Sequence, residues 1–316
     1  MNKYYKLGGN IMNKQYIYES LLNIIDDKDN IKIDEPMNKH ISFKVGGPAD
    51  ILVKPSSEEE LSGILKLIKE ENIPYLVIGN GSNLLVKDGG IRGIVIEISD
   101  NFNNFDIDGN LINIQSGALL SVVGKAALRA ELKGFEFAAG IPGTLGGALA
   151  MNAGAYGGEM KHIVKSVRLM DTDGSIHEFS NEDMQFEYRK SILTREPYIV
   201  LSAVIELENG NYNEIKETMA DFTQRRVTKQ PLSLPSAGST FKRPPGNFAG
   251  KLIEDSGLRG LTLRGAQVSE KHCGFVVNLG NAKAKDILDL MYVVKSTVNA
   301  KYGIMLEEEV KILGED

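Results

Sequence analysis

Residues 140–158 read Gly140-Ile141-Pro142-Gly143-Thr144-Leu145-Gly146-Gly147-Ala148-Leu149-Ala150-Met151-Asn152-Ala153-Gly154-Ala155-Tyr156-Gly157-Gly158, with seven glycines and no charged side chain. Average glycine usage is roughly 7%, so this density has a cause. Glycine lets a backbone approach a ligand closely but loses more entropy on folding than any other residue. A flexible linker would dilute its glycines with serine, lysine or glutamate. Here Ile141, Leu145, Leu149 and Met151 are interleaved, which implies packing. Spare amide N–H groups suit phosphate oxygens, and a bare surface suits a flat ring. The alternative is a tight turn buried in a core; a large anionic cofactor explains more of the pattern.

A second loop points the same way. Gly79-Asn80-Gly81-Ser82-Asn83-Leu84 follows the apolar run Tyr75-Leu76-Val77-Ile78. It is not a Rossmann turn, because Leu84 stands where the third glycine of G-x-G-x-x-G allows close helix–strand packing. No G-x-x-x-x-G-K-[ST] sequence occurs, which disfavours a Walker-type nucleotide site. Gly238-Ser239-Thr240-Phe241 lacks the G-x-S-x-G nucleophile elbow. Loops of Gly, Asn and Ser are instead donor arrays for a pyrophosphate. Two of them imply a long ligand with phosphates at its middle.

The remaining chemistry is bounded by composition. The 316 residues suffice for two domains, and a net charge of −6 argues against general nucleic-acid binding. No apolar run reaches the roughly 18 residues of a membrane span. The single cysteine, Cys273, fits a reducing cytoplasm. The four histidines, His40, His162, His177 and His272, show no metal-ligand spacing. Met1-Asn2-Lys3 recurs as Met12-Asn13-Lys14, and Gly8-Gly9 can be spelled by a purine-rich ribosome-binding sequence, so Met12 is expected to be the native start.

Periodicity organises the rest. Strand 49–53, a helix opened by Ser57 with Glu60 at its third position, and strand 75–78 form a βαβ unit. Further strands are expected at 94–98 and 111–114, and a helix over 119–133 closed by Gly134. Asp173-Gly174 predicts a hairpin between 164–171 and 175–179. A short helix capped by Ser180 is expected over 181–188, then a strand over 198–207. A helix over 213–229 should bury Ile215, Met219, Phe222 and Val227. Helix 247–256, strand 265–278, helix 283–300 and strand 310–313 complete an α+β chain. The expected divisions are an N-terminal lead-in (1–30), a larger domain (31–220) and a smaller αβ domain (221–316).

These motifs, in this order, resemble one family. Phe43-Lys44-Val45-Gly46-Gly47-Pro48-Ala49-Asp50, the 78–86 loop and the 140–147 run are similar to the FAD-binding half of UDP-N-acetylenolpyruvoylglucosamine reductases. That half is a two-part domain of the vanillyl-alcohol-oxidase (PCMH) type. Ser236-Ala237-Gly238-Ser239-Thr240-Phe241, Ala249-Gly250-Lys251, Val268-Ser269-Glu270-Lys271-His272 and Leu306-Glu307-Glu308-Glu309-Val310 resemble the C-terminal half. The short path from Arg189 to Ser239 resembles the type II branch.

The resemblance implies a cytoplasmic oxidoreductase with non-covalent FAD and NADPH as hydride donor. It acts on UDP-N-acetylglucosamine enolpyruvate for peptidoglycan synthesis, with no nucleic-acid or membrane partner. Cofactor contacts are implied for Gly79, Asn80, Gly81, Ser82, Asn83, Leu84, Gly140, Ile141, Pro142, Gly143, Thr144, Gly146, Gly147, Asn152 and Gly154. Arg189 is implied at the substrate carboxylate, Ser239 as proton donor and Glu309 as assisting acid. Tyr156, Tyr188, Arg225, Lys229, Arg243 and His272 are implied substrate contacts. Cys273 and Glu308 depart from the alanine and proline common in the family. A flavin oxidase with a histidine-linked cofactor is one rival, disfavoured because no histidine lies in either loop. A nucleotide carrier without catalysis is the other, and it leaves Arg189, Ser239 and Glu309 without a role.

Overall fold

The computed structural model describes residues 12–316; the expected start at Met12 turns on residues 1–11, which lie outside the described residues. Two compact units interleave along the chain. One holds the described residues up to Ile33, Asp50–Asn80 and Gly93–Gln224; the other holds Asp34–Ala49, Gly81–Arg92 and Arg225–Asp316. The sequence, by contrast, suggested one boundary near 220.

The first unit has two cores. In one, helix Glu58–Glu70 buries Leu61, Ile64, Leu65 and Ile68 at helical spacing, and Leu67 beside them. Ser57 caps it by accepting the Glu60 N–H at 3.1 Å. Glu60 does not complete the reciprocal bond to Ser57. Its carboxylate accepts the Ser56 N–H and hydroxyl at 2.6 and 2.8 Å. The sheet order Ile31–Pro36, Pro48–Val53, Ile91–Glu97, Tyr75–Ile78 inserts a strand between the two strands of the expected βαβ unit. Ile91–Glu97 pairs in parallel with Tyr75–Ile78.

The other core lies on an antiparallel sheet in the order Ile176–Ser180, Val164–Met170, Ile199–Glu206, Leu111–Gln115, Phe105–Asp108. Helices Leu120–Arg129 and Leu145–Ala150 contribute Leu120, Val123, Leu145 and Leu149 to it. The Asp173-Gly174 hairpin forms as expected, with the Gly174 N–H donating to Asp171 C=O at 3.1 Å.

Three local expectations are corrected. The helix expected over 119–133 stops at Arg129, because Glu131 turns to φ 56° and Leu132–Lys133 pairs with Glu208–Asn209. Residues 181–188 form turns, not a helix: Asp183 accepts the Ser180 N–H and hydroxyl at 2.9 and 2.6 Å, a local bond that competes with helical pairing. Helix Tyr212–Lys229 forms but buries only Ile215, and Val227 is exposed.

In the second unit, helix Ala284–Tyr302 buries Ile287, Leu290, Met291, Val294 and Val298. The single strand expected over 265–278 is broken. Thr262–Leu263, Ala266–Val268 and Val276–Asn278 form a three-stranded antiparallel sheet. Between the last two strands, the Ser269 hydroxyl accepts the N–H groups of Lys271 and His272 at 3.2 and 3.3 Å, which turns the chain. Leu84–Val86 pairs in parallel with Lys311–Leu313. Among the described residues no helix is long and apolar enough to cross a membrane.

Candidate active site

A cleft with room for about 180 Å³ lies in the first unit. Gly79, Ser116, Thr144, Gly146 and Gly147 line one part of it, and Pro197, Tyr198 and Ile199 another. The glycine run is held there by backbone. Leu145 and Gly146 donate to Ala118 and Ser116 C=O at 2.9 and 2.8 Å, and Leu120 donates to Gly143 C=O at 3.1 Å. Asn80 reaches from the other loop, its amide donating to Pro142 C=O at 3.1 Å. A Cβ on Gly79 would collide with Thr144 Oγ1, and one on Gly146 would lie 3.2 Å from Ser116 Cβ. Ser116 Oγ and Thr144 Oγ1 are both buried and, among the described residues, have no hydrogen-bond partner. Thr144 precedes helix Leu145–Ala150 but its hydroxyl does not cap it. Two dehydrated hydroxyls without partners are costly unless something accepts from them or donates to them.

The structure fastens Arg189 to the same segment. Glu187 and Lys190 exchange backbone bonds of 3.0 and 3.2 Å across a two-residue turn, with Arg189 at φ 58°. That conformation is uncommon for a residue with a Cβ. Asn152 braces the turn: its amide donates to Glu187 C=O at 3.2 Å and to the Glu159 carboxylate at 2.8 Å, and its side-chain oxygen accepts the Lys161 N–H. Ser191 adds a bond from its hydroxyl to Ala150 C=O at 3.1 Å. The Arg189 guanidinium lies 5.0 Å from the centre of the exposed Tyr188 ring. Tyr156 and Gly157, at φ 52° and 88°, turn the hairpin between Gly154–Ala155 and Gly158–Glu159. Tyr156 stacks on Phe222 at 4.3 Å and donates its hydroxyl to Phe222 C=O.

Ser239 and Glu309 belong to the second unit and are neighbours across a backbone ladder. Phe241 bridges Glu308 in antiparallel register, Lys242 N–H donates to Glu307 C=O at 2.8 Å, and Glu309 N–H donates to Thr240 C=O at 2.9 Å. Thr240 is anchored in turn, its hydroxyl accepting the Val276 N–H at 2.9 Å. Gly81, Ser82, Asn83 and Leu84 of the 79–84 loop also fall in this unit. Gly81 has φ 58° and passes so close to His40 and Ile41 that a side chain would not fit, and Leu84 begins a strand.

Four of the expected substrate contacts, Arg225, Lys229, Arg243 and His272, fall in the second unit. Arg225 and Lys229 are exposed on helix Tyr212–Lys229. Arg243 is exposed and stacks at 3.9 Å over Phe248, its Nε donating to Asn247 C=O. His272 is half-buried: its Nδ1 accepts the Gly274 N–H at 3.0 Å, and its ring meets Phe275 edge-on. Burial holds its imidazole below the usual histidine range.

Family comparisons match two contiguous stretches of the chain, unlike the interleaved units. Residues 49–180 match the FAD binding domain family, and residues 230–313 match the C-terminal domain of UDP-N-acetylenolpyruvoylglucosamine reductase. A UDP-N-acetylenolpyruvoylglucosamine reductase of Clostridioides difficile (strain 630) is 72% identical over 305 residues, spanning 96% of this chain and 100% of that protein. The chain belongs to the UDP-N-acetylenolpyruvoylglucosamine reductase family. A Clostridium perfringens reductase (strain SM101 / Type A) is 52% identical with the same coverage of both chains. The crystal structure of the Thermus caldophilus reductase superposes with a TM-score of 0.77 at 36% identity, covering 89% of this chain and 97% of that one.

The first unit fits the cofactor this family's FAD binding domain implies. Phosphate oxygens or ring carbonyls would accept from Ser116 and Thr144, against which Gly146 and Gly79 pack closely. Of the expected cofactor residues, Gly79, Thr144, Gly146 and Gly147 line the cleft together. Gly140, Ile141, Pro142, Gly143 and Gly154 do not line it. Ser116 was missed in the sequence. Its signal was faint: one serine before Gly117, at the end of strand Leu111–Gln115, with nothing local to separate it from a turn residue.

Proposed function

We propose that this chain is an NADPH-dependent flavoenzyme that reduces the enolpyruvyl group of UDP-N-acetylglucosamine enolpyruvate, giving UDP-N-acetylmuramate for peptidoglycan precursors in the cytoplasm. The observation that carries the reading is the glycine-walled cleft with two unpartnered buried hydroxyls, inside a segment matching an FAD binding domain. When bound, FAD accepts hydride from NADPH and delivers it to the enolpyruvyl double bond. Gly79, Ser116, Thr144, Gly146 and Gly147 hold the cofactor without a covalent link.

The chain's own residues manage charge and protons. Hydride addition leaves carbanion or enediolate character beside the substrate carboxylate, and fixed positive or donor groups stabilise charge where it develops. Arg189 supplies a planar fork that pairs with a carboxylate through two bonds and stays charged at any working pH. Ser239 delivers the proton to carbon; a hydroxyl is a weak acid, but the centre it meets is a strong base, so position outweighs acidity. Glu309 shares a proton with the oxygen side of that centre. Tyr156, Tyr188, Arg243 and His272 contact the sugar nucleotide, and a cation from Arg225 or Lys229 meets the diphosphate.

The test is direct. Purified protein should be yellow, acid precipitation should release the colour into solution, and NADPH oxidation should depend on the enolpyruvyl substrate. Colour retained in the pellet would favour a covalent flavin oxidase. Colourless protein with no such turnover would favour a nucleotide carrier.

A further inference from the structure

Asn83 stands in a loop whose composition suggests phosphate binding, yet its side chain is used elsewhere. Its Nδ2 donates to the backbone C=O of Glu309 at 3.1 Å. Its own C=O accepts the N–H of Lys311 at 2.9 Å. One asparagine thus clamps residues two apart on a strand 226 positions away, just where Leu84–Val86 begins to pair with Lys311–Leu313.

The Glu309 peptide is held from its other side by the segment that carries Ser239. Its N–H donates to Thr240 C=O, and Thr240 N–H donates to Gly274 C=O at 2.8 Å. The two acids before it are each tied to a lysine. Lys242 Nζ meets Glu307 at 3.0 Å, and Lys295 Nζ meets Glu308 at 2.5 Å. The Glu309 main chain is thus gripped on both sides, its N–H by Thr240 and its C=O by Asn83.

We propose that Asn83 is a positioning residue that sets the place of the Glu309 carboxyl relative to Ser239. The proposal rests on the reading of Glu309 as the assisting acid. A reacting group misplaced by about 1 Å can lose 10²-fold in rate. Releasing the Glu309 C=O frees the peptide between Glu309 and Val310 to rotate, while the ladder to Thr240 still holds the Glu309 N–H. The loss should therefore fall on proton management, with the cofactor cradle at Gly79 and Thr144 left intact.

The experiment crosses Asn83→Ala with Glu309→Gln and reads flavin content, the rate of flavin reduction by NADPH, and the rate of its reoxidation by the enolpyruvyl substrate across pH. Asn83→Ala should keep flavin and its reduction by NADPH, and slow reoxidation by roughly 10–10²-fold. In the Glu309→Gln background it should add almost nothing, because residues acting through one another are not additive. Should the alanine variant fail to fold, Asn83→Asp keeps the shape and turns the donor into an acceptor facing the Glu309 carbonyl; the same pattern is expected.

An apoprotein, or equal slowing of both half-reactions, overturns the proposal and returns Asn83 to the cofactor loop. A full-sized effect persisting in the Glu309→Gln background also overturns it, while leaving Glu309 in the chemistry. A silent Glu309→Gln variant is the distinct outcome that removes Glu309 from the mechanism and the positioning role with it.

Discussion

At Arg189 the chain accepts a backbone conformation that glycine would adopt without strain. The left-handed region costs a side-chain-bearing residue about 1–2 kcal/mol, and strain of this kind clusters where a side chain has work to do. Arg189→Gly should leave stability unchanged or raise it by up to about 1 kcal/mol, since the relieved strain is partly offset by a freer unfolded chain. The same change should abolish turnover. Arg189→Lys keeps the charge but not the fork, and should raise KM for the enolpyruvyl substrate with little effect on flavin reduction. Equilibrium denaturation beside steady-state kinetics checks both; a marked loss of stability in the glycine variant would show that the conformation is not strained. Ser239→Ala separates proton delivery from hydride transfer. Folding, flavin and its reduction by NADPH should survive, while reoxidation by substrate slows roughly 10²–10⁴-fold, with part recovered by Ser239→Cys. Equal slowing of both steps in stopped flow would point to a damaged cofactor site. Thr144 was legible at this scale because it sits inside the glycine run. Ser116 and the structural use of Asn152 were not, because both depend on neighbours far along the chain.

Elements with a strong apolar period, helices Glu58–Glu70 and Ala284–Tyr302, were legible nearly to their ends, as was the Asp173-Gly174 hairpin. The misreadings have separate causes. At 181–188 a carboxylate captured the backbone locally, and at 131–133 a short strand outcompeted the last helical turn. At 269–274 the polar stretch Ser269-Glu270-Lys271-His272 turned on the Ser269 hydroxyl and split the expected strand. That turn carries His272, and it has a pH signature. Its half-buried imidazole accepts a bond from Gly274 N–H, and its desolvation makes the folded protein resist protonating it. The unfolded chain takes the proton near the ordinary value of 6.5. More protons are then bound when unfolded, so stability rises with pH through this window. The contribution is complete above about pH 6.5 and is lost as pH falls below it. Denaturant titrations from about pH 5 to 8 should show a slope that flattens in His272→Gln; identical slopes in both proteins would remove His272 as its source.

Over the whole chain, similarity to known proteins runs in contiguous blocks, 49–180 and 230–313, whereas compactness does not. A single boundary near 220 could be drawn from the prolines that cluster at 231–245. Nothing local announced that Asp34–Ala49 and Gly81–Arg92 pack with the C-terminal residues, because pairings of such separation leave no periodic trace. The consequence is testable. Residues 225–316 alone would lack Asp88, whose carboxylate accepts the N–H groups of Ala284 and Lys285 at 2.9 Å each, at the start of the long helix. Losing such a cap typically costs about 1 kcal/mol. They would also lack Leu84–Val86, the partner of Lys311–Leu313, and Phe43, whose C=O accepts the buried Asn278 amide at 3.0 Å. A buried amide left without its acceptor adds roughly 1–3 kcal/mol. These losses fall on a piece of under a hundred residues, the size at which domains are marginal. The fragment should therefore be soluble at best as a loose helical species, with no cooperative thermal transition and poor amide dispersion by NMR. A cooperative melt of residues 225–316 with resolved side-chain signals would mean that the interleaved segments are dispensable. In that case the contiguous blocks are the true folding units.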